Sequence, residues 1–192
     1  FSIGQGDTVV TPIKLAQMYA AIANGGTIWK PTVAKAIISN NGKVIKIFPH
    51  EALGNIGVSP STIAFLHSAL HEVTISGTSA GVFAGFPIPT AGKTGTAQVF
   101  GKNPNGRAKD DSAWYASFAP AAQPRYVAVM MVSQGGFGAS TSAVGVRKIY
   151  ETLFGTKGSK VDQAASLFPS GKPPSKLPKI SPATRPAGEK KK

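Results

Sequence analysis

The chain has 192 residues, with 21 Lys and Arg against 8 Asp and Glu, giving a formal charge of +13. Its 42% apolar content supports a core and excludes wholesale disorder, and the length allows one domain with a tail. Zero cysteines exclude a disulfide scaffold, a thiolate zinc site and a cysteine nucleophile.

Thr11 is placed to cap a helix, and Pro12 suits its first position. Residues 13–23 are apolar on most sides, with Lys14, Gln17, Ala21 and Asn24 as one narrow polar stripe, which predicts a buried helix. Asn24-Gly25-Gly26 ends it. Strands follow at 27–30, 32–39 and 43–48, and Asn41-Gly42 between the last two is a strong hairpin signal. Ser59-Pro60 opens a second helix running to Val73. Gly77, Gly81 and Gly85 punctuate a loop, and strands are expected at 90–100, 112–119 and 125–133. Gly135-Gly136 breaks the chain, and Ser140 or Thr141 caps a last helix that Gly155 closes. Strands in succession with helices outside the series predict an antiparallel sheet with segregated helices, an α+β fold.

The charge is uneven. Residues 1–155 carry net +6 and residues 156–192 net +7, with six prolines and a Lys190-Lys191-Lys192 end. Residues 156–192 cannot bury enough apolar surface to offset their ordering entropy, so they are expected to form a disordered basic tail. Such a tail either adheres to a polyanion or stays solvated without a specific partner. The aromatics are not interleaved with the basic residues, which argues against nucleic acid. No apolar run reaches the roughly 18–20 residues that span a bilayer. The chain opens at Phe1 inside a segment read as structured, so it is expected to be a piece of a longer protein.

The most informative stretch is Ala91-Gly92-Lys93-Thr94-Gly95-Thr96-Ala97-Gln98. Alternation on a strand puts Lys93 and Gly95 on one side, Thr94 and Thr96 on the other. Lys supplies positive charge, Thr a rotatable hydroxyl donor, and Gly a close approach to the backbone; together these suit a carboxylate. Lys-Thr-Gly is also a strand signature of serine β-lactamases and penicillin-binding proteins. Gly4-Gln5-Gly6-Asp7 with Thr11-Pro12 precedes it, and Ala113-Trp114-Tyr115 with Ala119-Pro120 follows it.

In these three motifs and their order, the segment from Phe1 to Phe154 resembles a class B penicillin-binding protein of the penicillin-binding protein 2 branch. The resemblance implies part of the serine β-lactamase/transpeptidase-like fold, with residues 1–155 as the C-terminal half of a transpeptidase domain. It implies a peptidoglycan D,D-transpeptidase, cross-linking cell wall by serine acyl transfer on D-Ala-D-Ala stem peptides and acylated by β-lactams. Lys93 would stabilise charge near the nucleophile and the substrate carboxylate. Thr94 and Thr96 would bind that carboxylate, Gly95 would leave room for the peptide, and the Thr96 N–H would be one of two oxyanion donors. Trp114 is expected in the core. No metal or other cofactor is implied. The protein would work at the extracytoplasmic face of the bacterial membrane, held by an upstream anchor, with cell-wall synthesis proteins as partners. Outside the cell, the tail's counter-charge would be anionic wall polymer or lipid headgroups.

The sequence departs from the family in lacking any Ser-x-x-Lys. Thr11-Pro12-Ile13-Lys14 and Thr32-Val33-Ala34-Lys35 have the spacing with the wrong residue, and Ser39-Asn40-Asn41 falls on the hairpin turn. The nucleophile, its lysine and the Ser-x-Asn relay are therefore expected upstream of Phe1, and the piece alone is expected to be inactive. A non-catalytic peptidoglycan-binding or scaffold remnant of the same fold, or a β-lactamase fragment, are the alternatives. His67 and His71 share a helix face beside Glu72 but have no third ligand; Asp110-Asp111 read as a solvated loop, and Gly135, Gly136 and Gly138 as a turn.

Overall fold

The computed structural model describes residues 4–6 and 8–168. Helix α1 is Pro12–Ala23, capped by Thr11, whose hydroxyl accepts from the Lys14 N–H. Asn24 ends it and holds the turn that follows, accepting from the Thr27 N–H at 2.8 Å and donating to the Thr27 carbonyl at 2.9 Å. Strands β1 Thr27–Trp29, β2 Ala36–Ile38, β3 Val44–Ile47 and β4 Ala52–Asn55 come next. β2 and β3 form the hairpin predicted around Asn41-Gly42. β1 pairs instead with β4. That strand was missed because Ala-Leu-Gly-Asn has no β-branched or aromatic residue to signal it.

Helix α2, Pro60–Ile75, is capped by the Ser59 hydroxyl. A short helix α3, Ala80–Phe83, occupies part of the expected loop. Strands β5 Ala91–Ala97, β6 Ser112–Ala119 and β7 Tyr126–Val132 form one antiparallel sheet in the order β5-β6-β7. Helix α4, Ser142–Phe154, ends at Gly155 in the left-handed conformation. The chain then continues in order: β8 Thr156–Lys157 pairs with β9 Lys160–Val161, and a 3₁₀ turn spans Gln163–Ala165. Leu167 N–H donates to the Thr152 carbonyl, and the Phe168 ring stacks on Tyr126. The first residues of the expected tail thus fold back on α4. The disorder expected for the rest, and its polyanion contact, fall on residues 169–192, outside the described residues.

The sheet is covered on both faces. On one, Tyr115, Ala119 and Ala128 pack against Phe83 of α3 and Ala143, Val146, Tyr150 and Phe154 of α4. On the other, Ala91, Ala116 and Phe118 meet Tyr19, Leu15 and Ile22 of α1 and Leu70 of α2. The result is an α+β layering: α1 and α2, then sheet, then α3 and α4. α1 is less buried than its composition suggests. Only Tyr19 and Ala21 are buried, while Ile13 is 56% and Met18 49% exposed. Its apolar stripe is wider than the sheet face available to it among the described residues.

Two buried phenols are satisfied by buried serines. Tyr115 OH meets Ser79 Oγ at 3.2 Å, and Tyr150 OH meets Ser117 Oγ at 2.9 Å. Burial pushes the Tyr19 and Tyr115 phenols up to about 12 and raises Tyr150 as well; the serine bonds offset part of this for Tyr115 and Tyr150. The fold favours the neutral phenol. Its contribution is therefore complete below the unfolded value near 10 and is lost as pH rises toward 12. Unfolding free energy, measured by urea denaturation, should fall across that window, and tyrosinate absorbance at 295 nm should rise late in the folded chain.

Gly155 has φ +67°, and a Cβ there would overlap the Asp162 carbonyl oxygen. Gly155→Ala should cost roughly 2–4 kcal/mol, from left-handed strain plus overlap. A melting temperature lower by roughly 5–15 °C would register this. Faster tryptic cleavage at Lys157 and Lys160 should accompany it.

Candidate substrate-binding strand and groove

β5 carries the Lys93-Thr94-Gly95-Thr96 sequence and pairs, among the described residues, only with β6. No strand covers its outer edge among the described residues, so backbone groups on that side are accessible to a ligand. Register sets Thr94 opposite Tyr115 and Thr96 opposite Ala113, on the α4 side; Lys93 and Gly95 face the α1 side with Ala116 and Trp114. On that side lies a groove of about 780 Å³, bounded by Val9, Leu15 and Met18 and by the β5–β6 face.

On β5, Lys93 and Thr94 form a small polar network with Thr78, while Thr96 bonds separately to the glycine loop. Lys93 is exposed, and its ammonium donates to the Thr94 carbonyl at 3.0 Å and to Thr94 Oγ1 at 3.3 Å. Thr94 Oγ1 also lies 2.7 Å from Thr78 Oγ1. Thr96 Oγ1 accepts from the Gly138 N–H at 3.3 Å. Gly95 sits against Trp114: a Cβ there would lie 3.1 Å from the Trp114 Cβ. An ammonium, two hydroxyls and an open strand edge suit a carboxylate bound through charge-assisted and neutral hydrogen bonds.

Three features were placed differently by sequence. Trp114, expected in the core, is half-buried and lines the groove. Gly135, Gly136 and Gly138 read only as a turn; the turn is packed against the site. A Cβ on Gly138 would overlap the carbonyl oxygens of Gly95 and Trp114, so only glycine allows the loop this close to the strand. Thr141 Oγ1 donates to the Gly135 carbonyl, and Gly136 N–H to the Asp111 carbonyl, fixing the loop at both ends. Thr78 was not singled out at all. The only sequence signal for it was its position between Gly77 and Ser79 in a segment read as loop.

Gln5 Oε1 accepts from the Gln98 N–H at 2.9 Å, so the Gly4-Gln5-Gly6 segment is fastened to the end of β5. His67 Nε2 bonds to the Ile22 carbonyl at 2.9 Å and His71 Nδ1 to the Thr90 carbonyl at 2.6 Å, so both rings fasten α2 to its neighbours. The described residues contain no group of three or more His, Cys, Asp or Glu placed to hold a metal. The Thr11 hydroxyl is engaged in its helix cap, and Ser39 and Asn41 bond to each other in the hairpin turn. No helix among the described residues is long and apolar enough to cross a membrane.

Residues 1–151 match the penicillin binding protein transpeptidase domain. Among relatives, penicillin-binding protein 2A of Bacillus subtilis is 35% identical over 141 residues, covering 69% of this chain and 19% of the relative. Peptidoglycan D,D-transpeptidase PbpA of Mycolicibacterium smegmatis is 36% identical over 138 residues, covering 70% of this chain and 26% of the relative. Among solved structures, penicillin-binding protein 2 of Pseudomonas aeruginosa in complex with WCK 5153 aligns with TM-score 0.68 and 30% identity, covering 83% of this chain and 33% of that one. The imipenem acyl-enzyme of Mycobacterium tuberculosis penicillin-binding protein A aligns with TM-score 0.65 and 28% identity, covering 79% of this chain and 33% of that one. The chain thus spans between 19% and 33% of the length of these proteins. A matched region of 1–151 that takes in β5, the groove and α4 up to Glu151 leaves one assignment: the chain belongs to the penicillin-binding protein transpeptidase family.

Proposed function

We propose that this chain is the C-terminal part of a class B transpeptidase domain, and that the whole protein is a peptidoglycan D,D-transpeptidase of the cell envelope, acting outside the cytoplasmic membrane. The observation that carries the proposal is Lys93, Thr94 and Thr96 on an open-edged strand beside a groove, within a chain that matches the family. The solved relative acylated by imipenem supports β-lactams as ligands of the same site.

In this reading the stem peptide lies along the open edge of β5, with its terminal carboxylate at Thr94 and Thr96 and Lys93 supplying charge. A serine from the upstream part of the protein attacks the penultimate D-Ala carbonyl, and the Thr96 N–H donates to the developing oxyanion. The C–N bond breaks and D-Ala leaves as the amine, taking up a proton. An amine of a second stem peptide then attacks the ester, and the serine is released with its proton. Gly95 keeps the strand surface low beside Trp114, so that the peptide backbone can approach.

Two outcomes test this. The 192-residue chain incubated with a fluorescent penicillin should show no covalent adduct, since it has no Ser-x-x-Lys; a labelled band would contradict the division of labour proposed. In the longer protein carrying the upstream serine, Lys93→Ala should lower the second-order acylation rate on the order of 100-fold. An unchanged rate would remove Lys93 from the site.

A further inference from the structure

We propose that Thr78 is a positioning residue for the carboxylate-binding strand, turning the Thr94 hydroxyl into a dedicated donor toward an anion at the open edge of β5. This rests on the reading of β5 as the strand that binds the substrate carboxylate.

The argument is one of hydrogen-bond capacity. A threonine hydroxyl has one proton to give and two lone pairs to fill. An ammonium has only protons to give, so Lys93 Nζ, 3.3 Å from Thr94 Oγ1, fills one Thr94 lone pair. The Thr78–Thr94 bond of 2.7 Å can run either way. If Thr94 gives its proton to Thr78, none is left for a ligand. If Thr78 gives its proton to Thr94, both Thr94 lone pairs are filled and its own proton must go elsewhere. A carboxylate arriving at the strand accepts only, and so selects the second arrangement. Thr78 therefore sets the direction of the Thr94 proton without touching the ligand. Without it, Thr94 keeps a vacant lone pair and a side chain free to change rotamer.

Thr78 is itself held firmly although it is exposed. The Ser76 and Gly77 N–H groups donate to the Glu72 carbonyl at 3.0 and 3.1 Å, closing the end of α2. The Ser79 N–H and Oγ both donate to the Val73 carbonyl at 3.1 Å. Ser79 Oγ also meets Tyr115 OH, and Tyr115 is the cross-strand partner of Thr94. Adjacent residues of one turn thus reach both members of one cross-strand pair. The turn can shift only if β5 and β6 shift with it.

The test uses the 192-residue chain, with N-acetyl-D-Ala-D-Ala as probe, followed by amide chemical shifts at residues 93–96. Thr78→Val keeps the shape and removes the hydroxyl; Thr78→Ser restores the hydroxyl. Binding should weaken about 5–10-fold in Thr78→Val and return to within about twofold in Thr78→Ser. Both variants should melt within about 2 °C of the parent, because the position is exposed. The probe's C-terminal amide, which carries no anion, should bind the parent and Thr78→Val alike. Three-bond couplings should show one Thr94 χ1 rotamer in the parent and Thr78→Ser, and averaging in Thr78→Val. A Thr78→Val chain that binds the carboxylate probe like the parent, or keeps a single Thr94 rotamer, overturns the proposal. So does failure of Thr78→Ser to rescue. If the parent itself shows no shift at 93–96, the carboxylate reading of β5 fails, and the couplings alone decide whether Thr78 fixes Thr94.

Discussion

An edge strand that must stay open on one side has to be held in register from its other side and from behind. β5 meets that constraint by unbroken pairing with β6, from Ala91 opposite Phe118 to Ala97 opposite Ser112. A free edge would otherwise be the most mobile part of a sheet and an invitation to pair with another chain. Three loops add to the pairing: the turn carrying Thr78 and Ser79, the glycine loop at 135–138, and the Gln5 contact to Gln98. Each reaches β5, its cross-strand partner or the residue just after it through a hydrogen bond, and Gln5 in doing so also lines the groove.

The packing behind the sheet serves the same end. Tyr115 and Tyr150 are fully buried and their hydroxyls are paired with serines, so the layer between β6 and α4 is both apolar and hydrogen-bonded. Phe83 stacks on Tyr115, and Arg147 of α4 donates to the Val82 carbonyl while its guanidinium lies over Phe86. α3 is thereby clamped between the sheet and α4, and the turn just before it, at 78–79, inherits that fixity. On the opposite face the rings of α2 do comparable work. The His67 ring lies 4.8 Å from the Phe118 ring while bonding to α1, and His71 bonds to Thr90, the residue just before β5.

Much of this was legible in the sequence because it depends on local rules. The caps at Thr11 and Ser59, the hairpin at Asn41-Gly42 and the three sheet strands follow from side-chain chemistry within a few residues. The candidate residues on β5 stood out because charge, hydroxyl and glycine alternate along four positions. What escaped depends on partners distant in sequence. β4 is a strand only because β1 lies beside it. Thr78 acquires a role only because the chain brings it to Thr94, sixteen residues on. Gly138 reads as a turn until the backbone of Gly95 and Trp114 is seen beneath it. The order beyond Gly155 rests on contacts to Thr152 and Tyr126, which no composition count over 156–192 reveals.

The stacking of Phe168 on Tyr126 fixes where the described chain ends on the sheet. Tyr126 opens β7, the strand two places from β5, about 10 Å away across the sheet at ordinary strand spacing. Its neighbours in register are Ala119 and then the start of β5, while Lys93 to Thr96 lie further along. Phe168, after which the sequence carries seven basic side chains in 24 residues, is thus held on the strand at the opposite side of the sheet from the outer edge of β5. The described chain therefore ends on one edge of this sheet while Lys93 to Thr96 lie on the other, two strands away.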